Sequence, residues 1–260
     1  MRAVDLRSGT LSIGHPYPHN VSNDERIGGG QRIIKDKRRK TGGKKGIAKL
    51  LEWFETQLKN LGVKICFNTE ITPSSPELAD ADEILLALGA DSWVPPVEGM
   101  DSPIALDVRD AHLKPELVKG NRIIVAGGGL SGVDCALELA MQGSKKVTIV
   151  EMLDNIAVDT AFINQQAIHA KIKEYGVNVL TKHKVTRITS DGLIALDANR
   201  NEVAVKGDTV VTAFGTRANK ALADKIQEKY PHAVLIGDCN RVGNIGTSIT
   251  SGFTAAYAIQ

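Results

Sequence analysis

The order of hydrophobic and polar positions divides the chain into an irregular beginning and a long alternation of strands and helices. Residues 1–46 show little apolar periodicity and are punctuated by Pro16, Pro18, Gly28 to Gly30, Gly42, Gly43 and Gly46. Ile47, Leu50, Leu51, Phe54, Leu58 and Leu61 then fall at helical spacing, with Gly62 as a stop signal. Residues 63–67 predict a strand. After a Pro- and Ser-rich turn, residues 83–90 predict a buried strand that ends at Gly89, as suits a central strand of a parallel sheet.

The clearest unit follows. Residues 122–126 predict a strand, 127–132 a glycine turn, 133–142 a helix stopped by Gly143, and 146–150 a second strand ending at Glu151. A helix is predicted over 162–175, closed by Gly176. Short alternating strands over 177–180, 185–188, 193–196 and 202–205 predict an antiparallel meander. Residues 209–215 repeat the apolar-strand-then-glycine pattern of 85–89 and end at Gly215, an internal echo that points to two related halves. The last strand, 233–236, leads into Gly237-Asp238 and an apolar helix over 248–259.

Composition narrows the function classes. A length of 260 residues, 42% apolar and 24% charged, allows one large or two small domains with a real core. Twenty-five glycines against five Phe, four Tyr and two Trp fit turns that approach a ligand closely and argue against stacking platforms for single strands. A net charge of +2 points to neither nucleic acid nor membrane as partner. The local exception, nine basic residues against Asp36 between Arg32 and Lys49, reads as a solvated loop ahead of a polyanion contact. Cys66, Cys135 and Cys239 are widely spaced and odd in number, which argues against a disulfide framework or a Cys-rich metal site. The six histidines are scattered and form no H-x-x-x-H pair on a predicted helix, so no metal is expected. Without an apolar stretch of about 20 residues or a secretory leader, a cytoplasmic protein is expected.

Gly127-Gly128-Gly129-Leu130-Ser131-Gly132 matches G-x-G-x-x-G between a predicted strand and a predicted helix. In that pattern the first glycine permits the tight turn, the second lets backbone approach a pyrophosphate, and the third lets helix pack on strand. The helix N-terminus offers N–H groups to the phosphates. Glu151, 19 positions beyond Gly132, stands where a carboxylate accepts from ribose hydroxyls and repels a 2′-phosphate. No Arg lies between Glu151 and Arg187, so NAD(H) is expected over NADP(H). Neither Tyr175 nor Tyr230 has a Lys four residues later, and no P-loop pattern occurs, which excludes short-chain dehydrogenase and P-loop chemistry.

Together with Ile27-Gly28-Gly29, residues 86–90, 95–99 and 213–219, and Ile236-Gly237-Asp238-Cys239, these motifs resemble the C-terminal flavin- and NAD-binding region of the NADH:flavin oxidoreductases that include 2-enoate reductase, 2,4-dienoyl-CoA reductase and trimethylamine dehydrogenase. The resemblance implies an α/β fold of two Rossmann-like three-layer domains of the pyridine nucleotide-disulfide oxidoreductase kind. An NAD domain (120–216) would be inserted in an FAD domain (1–119 and 217–260). It further implies Gly89, Gly215, Gly237 and Asp238 as cofactor-binding positions beside the fingerprint, with Asp238 on the FAD ribitol and residues 247–252 near the isoalloxazine. Asp134 stands where the family often carries a helix Glu near the nicotinamide.

The chain departs from the family in lacking a first strand–G-x-G-x-x-G–helix unit for the FAD pyrophosphate, so the FAD domain is expected to be incomplete, with unpaired strand edges. Gly14-His15 resembles the turn before that domain's second strand, but residues 16–23 are poor strand sequence. Two functions follow as expectations. One is a module that passes hydride from NADH to a flavin, with onward electrons going to a separate flavin-barrel subunit or domain and no side chain acting as acid or base. The other is a truncated NAD-binding remnant without catalysis of its own.

Overall fold

The computed structural model describes Arg2–Asp5 and Thr10–Ile13 as backbone and residues 45–259, with side chains from Lys49 onward. The glycines at 28–30, the Gly14-His15 turn and the basic run up to Lys44 lie outside the described residues. The chain divides into two compact units, Met1–Asp91 with Thr216–Gln260, and Ser92–Gly215.

The first unit carries a five-stranded sheet. Its strands are β1 (Arg2–Asp5), β2 (Thr10–Ile13), β3 (Lys64–Cys66), β4 (Leu85–Leu86) and, near the chain end, a two-residue strand Val234–Leu235 numbered β15. Their order is β15-β4-β1-β2-β3. Helix α1 (Lys45–Asn60) covers the predicted helical span and stops before Gly62. A single turn, α2 (Pro76–Ala79), follows. The core gathers Ile71, Leu78, Ile84 and Leu86 with Ala223 and Ile226 of a helix, Lys220–Lys229, that the sequence reading did not anticipate.

Here the structure corrects the expectation of unpaired edges. β1 and β2 stand between β4 and β3, so the sheet is continuous. They do so as an antiparallel hairpin, Arg2 opposite Ile13 and Asp5 opposite Thr10, with β1 antiparallel to β4. A parallel pair needs a crossover of about a dozen residues or more. The four residues between Asp5 and Thr10 cannot supply one.

Two further strands, β5 (Ala90–Ser92) and a later one at Thr216–Ala218 (β14), form a two-stranded sheet. The second unit is built on β6 (Ala105–Asp107), β7 (Arg122–Ala126), β8 (Lys146–Val150), β9 (Asn178–Leu180) and a strand at Thr209–Thr212 (β13). Every neighbour pair in the order β6-β13-β7-β8-β9 is parallel. Because β6 pairs with β13 in this sheet, the unit begins well before the boundary at residue 120 that the sequence suggested.

Both faces of this sheet are buried, which is why its strands read as unbroken apolar runs. Ile123, Val125, Val147, Ile149 and Val211 pack on helices α3 (Val108–Leu113), α4 (Leu130–Ala140) and α5 (Phe162–Glu174). His112 Nδ1 lies 3.0 Å from Glu138 Oε2 and joins α3 to α4. Ile124, Ala126, Val150 and Val210 face the opposite side, where β10 (Lys184–Thr189), β11 (Gly192–Leu196) and β12 (Glu202–Lys206) form an antiparallel meander. The meander therefore has three strands. The predicted fourth, at 177–180, is instead β9, the parallel partner of β8.

At the amino edge of the sheet, Asp208 fastens β7 to β13. Its Oδ2 accepts from the N–H groups of Asn121 and Arg122, and its Oδ1 lies 2.6 Å from Arg122 Nη2. The guanidinium and the two N–H groups favour the charged carboxylate and hold its pKa at about 2. A depressed carboxylate contributes stability above its ordinary pKa and loses it as pH falls through the folded value. The melting midpoint of Asp208→Asn is therefore expected below wild type at pH 5 to 7, with the gap closing between pH 4 and 2. A gap that persists unchanged at pH 2 is the contrary result.

The remaining helices are α6 (Lys220–Lys229) and α7 (Ile245–Tyr257), the second preceded by a turn at Gly237–Cys239.

Candidate functional site

β7 ends at Ala126 and the chain turns at once into α4. Gly127 takes φ +113°, a left-handed conformation that suits glycine, and donates to the carbonyl of Val150 at 2.9 Å. A Cβ at Gly127 would collide with the carbonyl oxygen of Ala213 just past β13, and one at Gly132 with the carbonyl of Gly127. These two glycines are thus required by close backbone packing. Gly129 is different: a Cβ there meets nothing within 4 Å. Gly129 is the N-cap of α4, with no side-chain cap, so Leu130, Ser131 and Gly132 are the first turn of the helix and belong to it rather than to the turn before it. The first N–H groups of a helix have no intrahelical partner. Gly129, Leu130 and Ser131 are exposed, so this end of α4 opens onto free space.

Glu151 follows β8 and is only 8% exposed, which is not the surface acid that a strand end commonly carries. Its Oε2 accepts from Gly128 N at 2.6 Å and its Oε1 from Leu153 N at 2.8 Å. A carboxylate has about four lone-pair sites, so acceptor capacity remains for hydroxyl groups. Sequence reasoning missed the other side of this clasp. Gly128 O accepts from Ala157 N at 2.8 Å, and Ile156 lies where a Cβ on Gly128 would have to go. Nothing in the sequence marks Ala157, because alanine is not a residue that announces its φ of +51°.

Among the expected positions, the structure brings Gly127 to Gly132 and Glu151 together at the carboxyl ends of β7 and β8, while Gly215 lies three residues beyond β13, the strand beside β7. That is the edge where open α/β sheets take ligands, at the strands on which the order reverses. Open space at Gly129, the uncapped helix end and the buried carboxylate all fit a dinucleotide.

Gly89, Gly237 and Asp238 lie in the other unit, after the adjacent parallel strands β4 and β15. Asp238 Oδ1 accepts from Gly243 N at 3.1 Å and from Ser248 Oγ at 3.3 Å, and Gly237 N donates to Ser251 Oγ at 2.9 Å. Buried Cys239 donates from Sγ to the carbonyl of Leu86 at 2.8 Å, locking this turn to β4. α7 begins at Ile245 with a capping box of Asn244 and Thr247, so residues 247–252 fall in its first two turns. A carboxylate and a helix start suit the ribitol end of FAD. The pyrophosphate cradle does not fit: β1 and β2 form a hairpin where a glycine turn and helix would be needed.

A family described as pyridine nucleotide-disulphide oxidoreductase matches residues 35–236. The chain is 33% identical over 213 residues to a cinnamate reductase of Clostridium sporogenes, covering 81% of this chain and 31% of that protein. It is 29% identical over 223 residues to an NADH oxidase of Thermoanaerobacter brockii, covering 84% and 34%. A solved 2-naphthoyl-CoA reductase in complex with 2-naphthoyl-CoA superposes with a TM-score of 0.80 at 26% identity, over 91% of this chain and 35% of that one. The chain thus spans about a third of the length of each of these proteins. No helix among the described residues is long and apolar enough to cross a membrane.

Proposed function

Because the chain belongs to the pyridine nucleotide-disulphide oxidoreductase family, we propose that it is the NADH-side module of an oxidoreductase resembling 2-enoate reductase. In this reading the Ser92–Gly215 unit holds NAD(H). The observation that carries the proposal is the meeting, at one sheet edge, of open space beside Gly129, an uncapped helix end and the buried Glu151 carboxylate. The pyrophosphate lies against Gly129 and the first N–H groups of α4, where the helix dipole favours negative charge. The adenosine ribose donates its hydroxyls to Glu151. NAD(H) is preferred over NADP(H), because a 2′-phosphate would meet that carboxylate with no Arg between residues 151 and 187 to receive it. NADH bound there supplies a hydride. The chain's residues bind and orient it, and no side chain serves as acid or base.

The proposed acceptor of that hydride is a flavin, and the enoate-like role draws support from the cinnamate reductase and 2-naphthoyl-CoA reductase it is similar to. Asp238 and α7 are this chain's contributions toward the ribitol end. Onward electrons pass to a separate flavin-barrel subunit or domain. Cys66, Cys135 and Cys239 form no disulfide, which suits a reducing cytoplasm. The β1–β2 hairpin favours a second reading, in which the chain binds NAD(H) but no flavin and catalyses nothing alone. Purified chain that is yellow and bleached by NADH supports the first reading. Colourless chain that binds NADH supports the second, and chain that binds neither overturns both.

A further inference from the structure

The segment that follows Glu151 holds one conformation that needs a cause. Ala157 is fully buried and sits in the left-handed region at φ +51°, where a residue with a Cβ is uncommon. Residues persist there only when their surroundings fix them. Two hydrogen bonds do so. Ala157 N donates to Gly128 O at 2.8 Å, and Ala157 O accepts from Gln165 Nε2 at 3.1 Å. Gln165 belongs to the first turn of α5.

Gly128 is therefore gripped through both peptide groups that flank its Cα, its N–H by Glu151 and its carbonyl by Ala157. The next residue is Gly129, the open cradle at the head of α4. We propose that Gln165 is a positioning residue for the dinucleotide: its amide fixes Ala157, Ala157 fixes Gly128, and Gly128 aims the first N–H groups of α4 at the pyrophosphate. This rests on the reading of the Ser92–Gly215 unit as the NAD(H) site, and adds to it a residue outside the fingerprint.

The test is NADH binding by the full chain, followed by titration calorimetry beside the melting midpoint. Gln165→Glu keeps the side chain's shape and removes its donor. An added acid in the first turn of α5 also favours the helix dipole, so the midpoint holds or rises. Gln165→Ala removes the donor without adding charge. Both variants are expected to bind NADH about tenfold more weakly, the scale of one lost hydrogen bond, with midpoints lowered by no more than about 5 °C, so that the unit is folded at the temperature of the titration. Gln165→Arg retains an N–H donor and is expected to restore binding. Unchanged affinity in the first two variants overturns the proposal, as does a loss of affinity that Arg fails to restore. Wild-type chain that does not bind NADH overturns instead the reading beneath it.

Discussion

Glu151→Gln is expected to weaken NADH binding by one to two orders of magnitude, although it changes a single oxygen to an amide. Both carboxylate oxygens accept from backbone N–H groups, Gly128 on one and Leu153 on the other. An amide has one acceptor oxygen, so in either orientation its NH2 faces a backbone donor. That mismatch turns the side chain away from its present place, and the ribose hydroxyls lose their charged acceptor; a hydrogen bond to a charged group is worth about 1.5–3 kcal/mol, and each 1.4 kcal/mol is about tenfold in affinity. The loss should show in calorimetric titration with NADH and be shared by Glu151→Ala. Glu151→Arg goes further by offering a cation to a 2′-phosphate, and should shift the ratio of affinities toward NADPH. An unchanged ratio would remove Glu151 from the ribose site.

Gly129→Ala and Gly132→Ala are expected to fail in different ways, though the two glycines lie three residues apart in one motif. A methyl group at 132 strikes the carbonyl of Gly127 within the first turn of α4, and the backbone must move. Overpacking of that kind costs about 1–3 kcal/mol, or roughly 5–10 °C of melting midpoint for a unit of this size, and binding falls with it. A methyl at 129 meets no protein atom within 4 Å and occupies an extended conformation, φ −66° and ψ 175°, that alanine accepts. Gly129→Ala should therefore melt with wild type while binding NADH at least about tenfold more weakly, because the space it fills is where the pyrophosphate approaches. Equal affinity for NADH in Gly129→Ala and wild type would remove that space from the site.

How much of this was legible in the sequence depends on where each constraint is recorded. β7 and β8 match their predicted spans residue for residue, since strands buried on both faces leave continuous apolar runs and the glycines mark the turn between them. β9 was misassigned because three residues between a helix end and a turn carry no sign of whether they pair parallel or antiparallel. The hairpin of β1 and β2 was missed for the opposite reason: its place in the sheet follows from which strands are available to pair, and that is not a local property. Within the site, the fingerprint and Glu151 were readable because chemistry dictates their residue types. Ala157 and Gln165 were not, since Ala157 acts through backbone groups that every residue possesses and the Gln165 amide meets only a backbone carbonyl.

The clasp on Gly128 also bears on what could be moved between proteins. The six-residue glycine motif looks self-contained, yet half of what gives it its posture comes from beyond β8: the carboxylate of Glu151, the side chain of Ile156 and the N–H of Ala157. Grafted alone onto another α/β scaffold, the motif would bring its turn without its aim. The clasp itself runs from the start of β7 to the first turn of α5, and a designer borrowing this site would have to borrow that whole stretch together with a neighbour in the place of β13, on which Gly127 packs.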